Sequence, residues 1–147
     1  YEHSPWIAER AFAQRPFASA TALYLALYGV VQAASRDEKL ALLNAHPELA
    51  GKEAQSGTLT SNSVGEQSGA GLNALPRDEF VELNDLNRRY REKFGFPFII
   101  CVRLNCKDAI FAALRGRLAN GVEQELQNSL AQVGEIARLR VTDILAG

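Results

Sequence analysis

Through most of this chain apolar side chains return every third or fourth residue, and nowhere do they alternate with polar ones over the length of a strand. That period commits the fold to helices. Asp78 to Phe94 sets Phe80, Leu83, Leu86, Tyr90 and Phe94 on one face, and Gly95 follows as a helix stop. From Gly121 to about Ala146, Val122, Leu126, Leu130, Val133, Ala137 and Val141 form one stripe, on a helix roughly 39 Å long at 1.5 Å per residue.

Helix starts recur elsewhere. Ser4-Pro5 offers an N-cap residue and a proline at the first helical position, followed by Trp6, Ile7, Ala11 and Phe12 on helical spacing. Ala20 to Ala34 is apolar around much of its circumference, which predicts a central buried helix. Ser35 and Glu38 have the form of a capping box opening a helix that ends at His46. Asn105 with Asp108 and Asn120 with Glu123 mark two further starts. These signals predict one all-α domain over residues 1–147, an irregular bundle of six to eight helices. The stripe of the last helix is also what a non-catalytic helical interaction module would use to dock a partner helix.

A chain of 147 residues can bury a core without staples. Its net charge of −1, with basic and acidic residues intermixed, gives no footprint for a nucleic-acid backbone. Phe94 to Val102, the longest uncharged apolar run, is too short to span a bilayer, and no signal-peptide pattern is present. Membrane and nucleic acid are therefore not expected partners, and a cytoplasmic location is. Cys101 and Cys106 lack the paired spacing of a zinc knuckle and make no disulfide framework, so both are expected to be unperturbed buried thiols.

Two segments depart from the helical pattern. Gly51 to Ser63 is rich in Gly, Ser and Thr and reads as a surface loop with room for one helical turn. Phe94 to Arg103, "FGFPFIICVR", is bulky and β-branched after Pro97, and reads as a buried strand without a partner.

Three stretches carry candidate chemistry. Pro47 crowds the helical region of His46, which should turn the chain there and aim the imidazole away from the helix axis. The negative end of the preceding helix should raise its pKa, suiting a proton donor; an ordinary capping histidine fits the same spacing. Ser63-Val64-Gly65-Glu66-Gln67 has the S-x-x-E form, in which Ser63 caps a helix and Glu66 reaches back to the cap's amide. The same helix start can attract a carboxylate or a polar ring substituent. In the third stretch, the amides of Phe98, Ile99 and Ile100 must find acceptors if buried, and Arg103 can grip a carboxylate at two points.

Together, "HPELAGK" at 46–52, "SVGEQSGAGL" at 63–72 and "EKFGFPFIICVR" at 92–103 resemble the decarboxylase family acting on 2-oxo-4-hydroxy-4-carboxy-5-ureidoimidazoline (OHCU) in urate breakdown. Three separated motifs in order, within a helical layout that agrees over nearly the whole chain, make the resemblance specific. It implies an all-helical homodimeric enzyme that releases CO2 from this ureidoimidazoline and yields (S)-allantoin without a cofactor or metal. It places the catalytic histidine at His46 beside Pro47, with Glu66 fixing the imidazole or binding the ring. Ser63, Gln67 and the backbone of Phe98, Ile99 and Ile100 would hold the ureido and ring groups. Arg103 would anchor negative charge, a role that Arg88, Arg89 or Arg91 could also take. Another small-acid hydrolase or lyase could use the same histidine, glutamate and arginine.

Overall fold

The computed structural model describes residues 1–147, and it is helical throughout, with no strand. Its helices are α1 (Pro5–Phe12), α2 (Ala20–Ala33), α3 (Arg36–Ala45), α4 (Lys52–Ser56), α5 (Ser61–Gly69), α6 (Arg77–Phe94), α7 (Lys107–Arg117) and α8 (Val122–Ala146), with a single 3-10 turn at Val102–Leu104. No helix is long and apolar enough to cross a membrane.

Local chemistry explains most boundaries. Pro5 opens α1, although the Ser4 side chain makes no capping bond and is buried instead. Ser35 Oγ accepts from the Glu38 amide at 3.2 Å, but Glu38 returns to the Ser35 hydroxyl and to Arg10 rather than to the Ser35 amide, so half of the expected box forms. Gly95 ends α6 in the left-handed region at φ 80°, its amide donating to Arg91 O at 2.9 Å. The caps of α7 and α8 are Cys106 and Gly121, one residue beyond the predicted Asn105 and Asn120. Those two asparagines serve tertiary contacts, donating to Cys101 O and to the Glu125 carboxylate.

Helix α8 is the axis of the molecule, packing against α2, α3 and α6. Leu126, Leu130, Val133 and Ala137 are buried inside the chain, so this stripe is core and not a free docking face. Truncating a fully buried residue such as Leu130 to alanine costs about 2–5 kcal/mol. Helix α2 is peripheral and not central: only Leu27 and Val31 are buried, and Leu25 is 58% exposed. Its approach to α8 depends on Gly134, where a Cβ would lie 2.8 Å from the Tyr28 ring. The thiols also differ from expectation. Cys101 is buried, and burial pushes its pKa up, whereas Cys106, at the start of α7, is exposed.

The glycine- and serine-rich segment contains the anticipated turn, as α4, and gives way to α5 two residues before Ser63. The apolar run after α6 is buried, with Phe96 and Phe98 fully enclosed and set edge-to-face against Tyr90. It is not the expected strand: residues 97–101 have no regular secondary structure and lead into the 3-10 turn, because no neighbouring chain segment offers a ladder of hydrogen bonds.

Candidate active site

His46 occupies the C-cap of α3 with φ −76° and ψ 133°, outside the helical region, as a residue before proline should be. The loop that follows is tied down from several directions. The Ala50 amide donates to Gln67 Oε1 at 3.0 Å, and Leu49 O accepts from Asn87 Nδ2 at 3.0 Å. Ala50 itself sits in the left-handed region at φ 48°, a conformation that disfavours a side chain and is held by these bonds.

The imidazole makes no hydrogen bond within the chain and is charged less readily than the sequence suggested. Burial pulls the His46 pKa from 6.5 down to about 4; Glu2 acts to raise it, and Arg140 adds to the lowering. The helix-terminus effect expected to raise it is a fraction of a kcal/mol to about 1 kcal/mol, and desolvation of an imidazolium exceeds that. His46 is therefore neutral at pH 7, a proton acceptor rather than a ready donor.

Helix α5 carries the next residues. Its N-cap is Thr60, whose Oγ1 accepts from the Ser63 amide at 3.3 Å. Ser63 is thus not the cap, and Glu66 does not close a capping box. Instead Ser63, Glu66 and Gln67, three and four positions apart, share the inward face of α5. Ser63 Oγ donates to the Glu2 carboxylate at 2.8 Å. Glu66 accepts two bonds from Arg140, from Nε and from Nη2, each at 2.8 Å. Arg140 Nη1 also donates to Glu2 at 3.0 Å.

Two residues absent from the sequence expectations, Glu2 and Arg140, are therefore central to this cluster. Burial alone would raise the Glu2 carboxyl, but bonds from Ser63, Thr60 and Arg140 hold it below the usual carboxylate range. Burial also opposes the Arg140 charge, and Glu66 and Glu2 more than restore it. Arg140 was detectable in principle. It falls three residues after Ala137, on the stripe that buries Leu130 and Val133, where a charged residue needs a buried partner. Glu2 carries no comparable sequence signal.

His46, Pro47, Ser63, Glu66, Gln67 and Ile100 all line one small cavity of about 10 Å3, near the volume that holds a single water. Glu66 and Val102 also line an open groove of about 500 Å3 on the outer side, whose floor is Gly65, Gly69 and Ala70 and whose rim carries Arg103. Arg103 bonds Asp143 there, with Nη1 2.6 Å from Oδ2. The other arginines considered lie on or near α6 surface pairs: Arg88 and Arg89 with Asp85, and Arg91 with Glu48.

Phe98, Ile99 and Ile100 are 0%, 1% and 7% exposed, and none of their amides donates to an acceptor in the chain. Neighbouring groups are paired: Ile99 O accepts from Arg117, and the Cys101 amide donates to Gln132. Each buried unpaired amide costs about 1–3 kcal/mol. Of the three residues only Ile100 lines the cavity, while Phe98 and Ile99 are enclosed behind it. No three His, Cys, Asp or Glu side chains are grouped to hold a metal ion.

Residues 1–142 match the sequence model of a family described as OHCU decarboxylase. The 2-oxo-4-hydroxy-4-carboxy-5-ureidoimidazoline decarboxylase of Haloferax volcanii is 42% identical over 143 residues, covering 97% of this chain and 83% of that protein. The uric acid degradation bifunctional protein PucL of Bacillus subtilis is 43% identical over 145 residues, which are 99% of this chain but only 28% of that longer protein. Among solved structures, a crystal structure of (S)-allantoin synthase superposes with a TM-score of 0.74 at 34% identity, over 97% of this chain and 45% of that one. A second, of an OHCU decarboxylase in the presence of (S)-allantoin, shares the fold with a TM-score of 0.80 at 22% identity, over 98% and 93% of the two chains. A family match across nearly the whole length, and relatives of similar size at about this identity, settle the relationship: the chain belongs to the OHCU decarboxylase family.

Proposed function

We propose that this chain decarboxylates OHCU to (S)-allantoin in urate breakdown, with His46 and Glu66 as its catalytic residues. The observation that carries the proposal is convergence. A histidine from the end of α3, three polar residues from one face of α5 and Ile100, the downstream end of the apolar ribbon, meet at one cavity that adjoins a groove. Residues so far apart in sequence are gathered by folding alone.

The chemistry needs no electron sink from the protein. The substrate carboxylate is attached next to a carbon–nitrogen double bond, so the electron pair released with CO2 moves toward that nitrogen. The neutral His46 imidazole then accepts the hydroxyl proton as the ring carbonyl forms, and a proton is delivered to the neighbouring carbon from one face. One further proton from solvent balances the nitrogen. Neutrality at working pH suits His46 to the accepting step, and the imidazolium formed next to Glu2 and Glu66 is the donor of the second. Fixing the substrate on one face sets the hand of the product, which is an orientation effect.

Ser63, Gln67 and the free amides of Phe98, Ile99 and Ile100 bind the ureido and ring groups, with Pro47 closing the wall beside His46. Arg103, at the rim, exchanges Asp143 for the substrate carboxylate, while Arg140 orients Glu66. We further infer a homodimer in the cytoplasm. Leu104 is 55% exposed and Ile144 75%, and they flank the Arg103–Asp143 pair in sequence, an apolar rim suited to a second copy.

Generating OHCU with urate oxidase and hydroxyisourate hydrolase, then following its disappearance and the optical activity of the allantoin formed, tests the proposal. Accelerated decay to one enantiomer is expected from the wild-type chain, with the His46→Ala protein giving the slow racemic background. Equal decay with and without the wild-type chain refutes the function; full stereospecific activity in His46→Ala removes His46.

A further inference from the structure

The fold has to hold the Phe98–Ile100 ribbon still without a neighbouring strand, and one side chain grips its centre. Arg117, near the end of α7, donates from Nη1 to Ile99 O at 2.7 Å, and its guanidinium lies 4.5 Å from the centre of the Phe98 ring. Its other arms are committed too: Nε to Glu125, and Nη2 to Ser129 Oγ at 3.2 Å. Glu125 is fully buried and accepts the Tyr90 hydroxyl at 2.7 Å and Asn120 Nδ2 at 2.8 Å.

A buried ion pair of this kind is a poor device for stability alone, because an apolar replacement of similar volume is often as stable or more so. What it supplies is direction. A guanidinium bonded at once to a carboxylate, a hydroxyl and a backbone carbonyl has no rotational freedom left, and a lysine ammonium cannot reproduce that planar fork. The carbonyl of Ile99 is thereby fixed, while the amides on either side stay without an acceptor in the chain.

We propose that Arg117, locked by Glu125, is a positioning residue for the reaction: it holds the ribbon in the register that leaves the Phe98, Ile99 and Ile100 amides to the substrate. This rests on the function proposed above, since it presumes that those amides bind OHCU. It assigns no chemistry to Arg117, which acts only through the ribbon.

Steady-state kinetics on OHCU with the full-length Arg117→Lys protein, alongside its thermal midpoint, test this. The expected result is a KM raised about tenfold, equivalent to about 1.4 kcal/mol of lost binding, with kcat altered much less. A purely structural role would lower the midpoint and leave the KM of the folded enzyme unchanged, and that result overturns the inference. Should Arg117→Lys fail to fold, Gln132→Leu takes its place. Gln132 Oε1 accepts the Cys101 amide at 2.9 Å and pins the downstream end of the same ribbon, so the same rise in KM is expected and a wild-type KM is refuting. Amide exchange adds a readout independent of turnover. (S)-allantoin should slow exchange at Phe98–Ile100 in the wild-type protein and do so less in the variant, and equal slowing in both overturns the inference. A wild-type chain that neither turns over OHCU nor gains protection from (S)-allantoin removes the proposed function itself, and this inference with it.

Discussion

Acidification should weaken this fold in a pH window that belongs to His46. In the folded chain its pKa is about 4, against 6.5 for a free imidazole. Between those values the unfolded chain takes up a proton that the folded chain refuses, so stability falls as pH falls. The contribution is fully present above pH 6.5 and is lost progressively toward pH 4. A gap of 2.5 units (6.5 − 4) corresponds to a limit of about 3 kcal/mol, of which about 2 kcal/mol is lost between pH 7 and pH 5. Urea unfolding of wild type and His46→Gln, followed by helical circular dichroism at those two pH values, isolates the effect as the difference between the two proteins. The wild type should lose about 2 kcal/mol more than the variant, or about 4–8 °C in thermal midpoint for a domain of this size. Parallel losses, or a His46 C2 proton resonance that titrates near neutrality in the folded protein, would refute the account of a desolvated imidazole.

Three further outcomes follow from the geometry. Glu66→Gln removes one of two negative partners of Arg140 and should cut kcat at least tenfold, about 1.4 kcal/mol of barrier, with a smaller proportional change in thermal midpoint; a near-normal rate removes Glu66 from catalysis. Glu2 has a depressed carboxyl, so it stabilises above its ordinary pKa of 4.5 and that stability goes as pH falls through the folded value; denaturation of Glu2→Gln should show lower stability at pH 7 and a shallower loss below pH 4.5. Gly134→Ala drives a methyl into the Tyr28 ring and should cost about 1–3 kcal/mol by thermal unfolding, whereas Gly116→Ala, in α7 with nothing within 4 Å of its Cβ, should gain up to about 1 kcal/mol.

The helices were legible because their signals are local. The stripe of α6 and its Gly95 stop, or the proline that turns the chain at His46, can be read within a few residues, and the structure places those boundaries within one residue of expectation. Failures came where a local pattern competes with a distant partner. The S-x-x-E form at Ser63 predicts a cap, but Glu2 and Arg140 offer stronger charge-assisted bonds and Thr60 takes the capping position. The apolar circumference of α2 predicts burial on all sides, yet this helix at the edge of a small bundle packs chiefly against α1 and α8. The His46 pKa depended on how much protein covers the ring, which no spacing reveals. At the candidate site the three motifs were readable one by one, and their common cavity was not. Nor was the Glu2–Arg140 pair beneath it, because its members are 138 positions apart.

That separation governs the order of assembly. Glu2 is made 138 positions before Arg140, near the close of α8, and waits that long for the cation that its carboxylate bonds. Until then the carboxylates of Glu2 and Glu66 have no arginine between them to neutralise the pair, so the inner side of the pocket cannot set before α8 docks. A nascent chain stalled before α8 lacks both the axis of the bundle and Arg140, and so has no site. Splitting the protein in the 118–121 connection would make each fragment depend on the other for its charge balance, a natural basis for a complementation reporter.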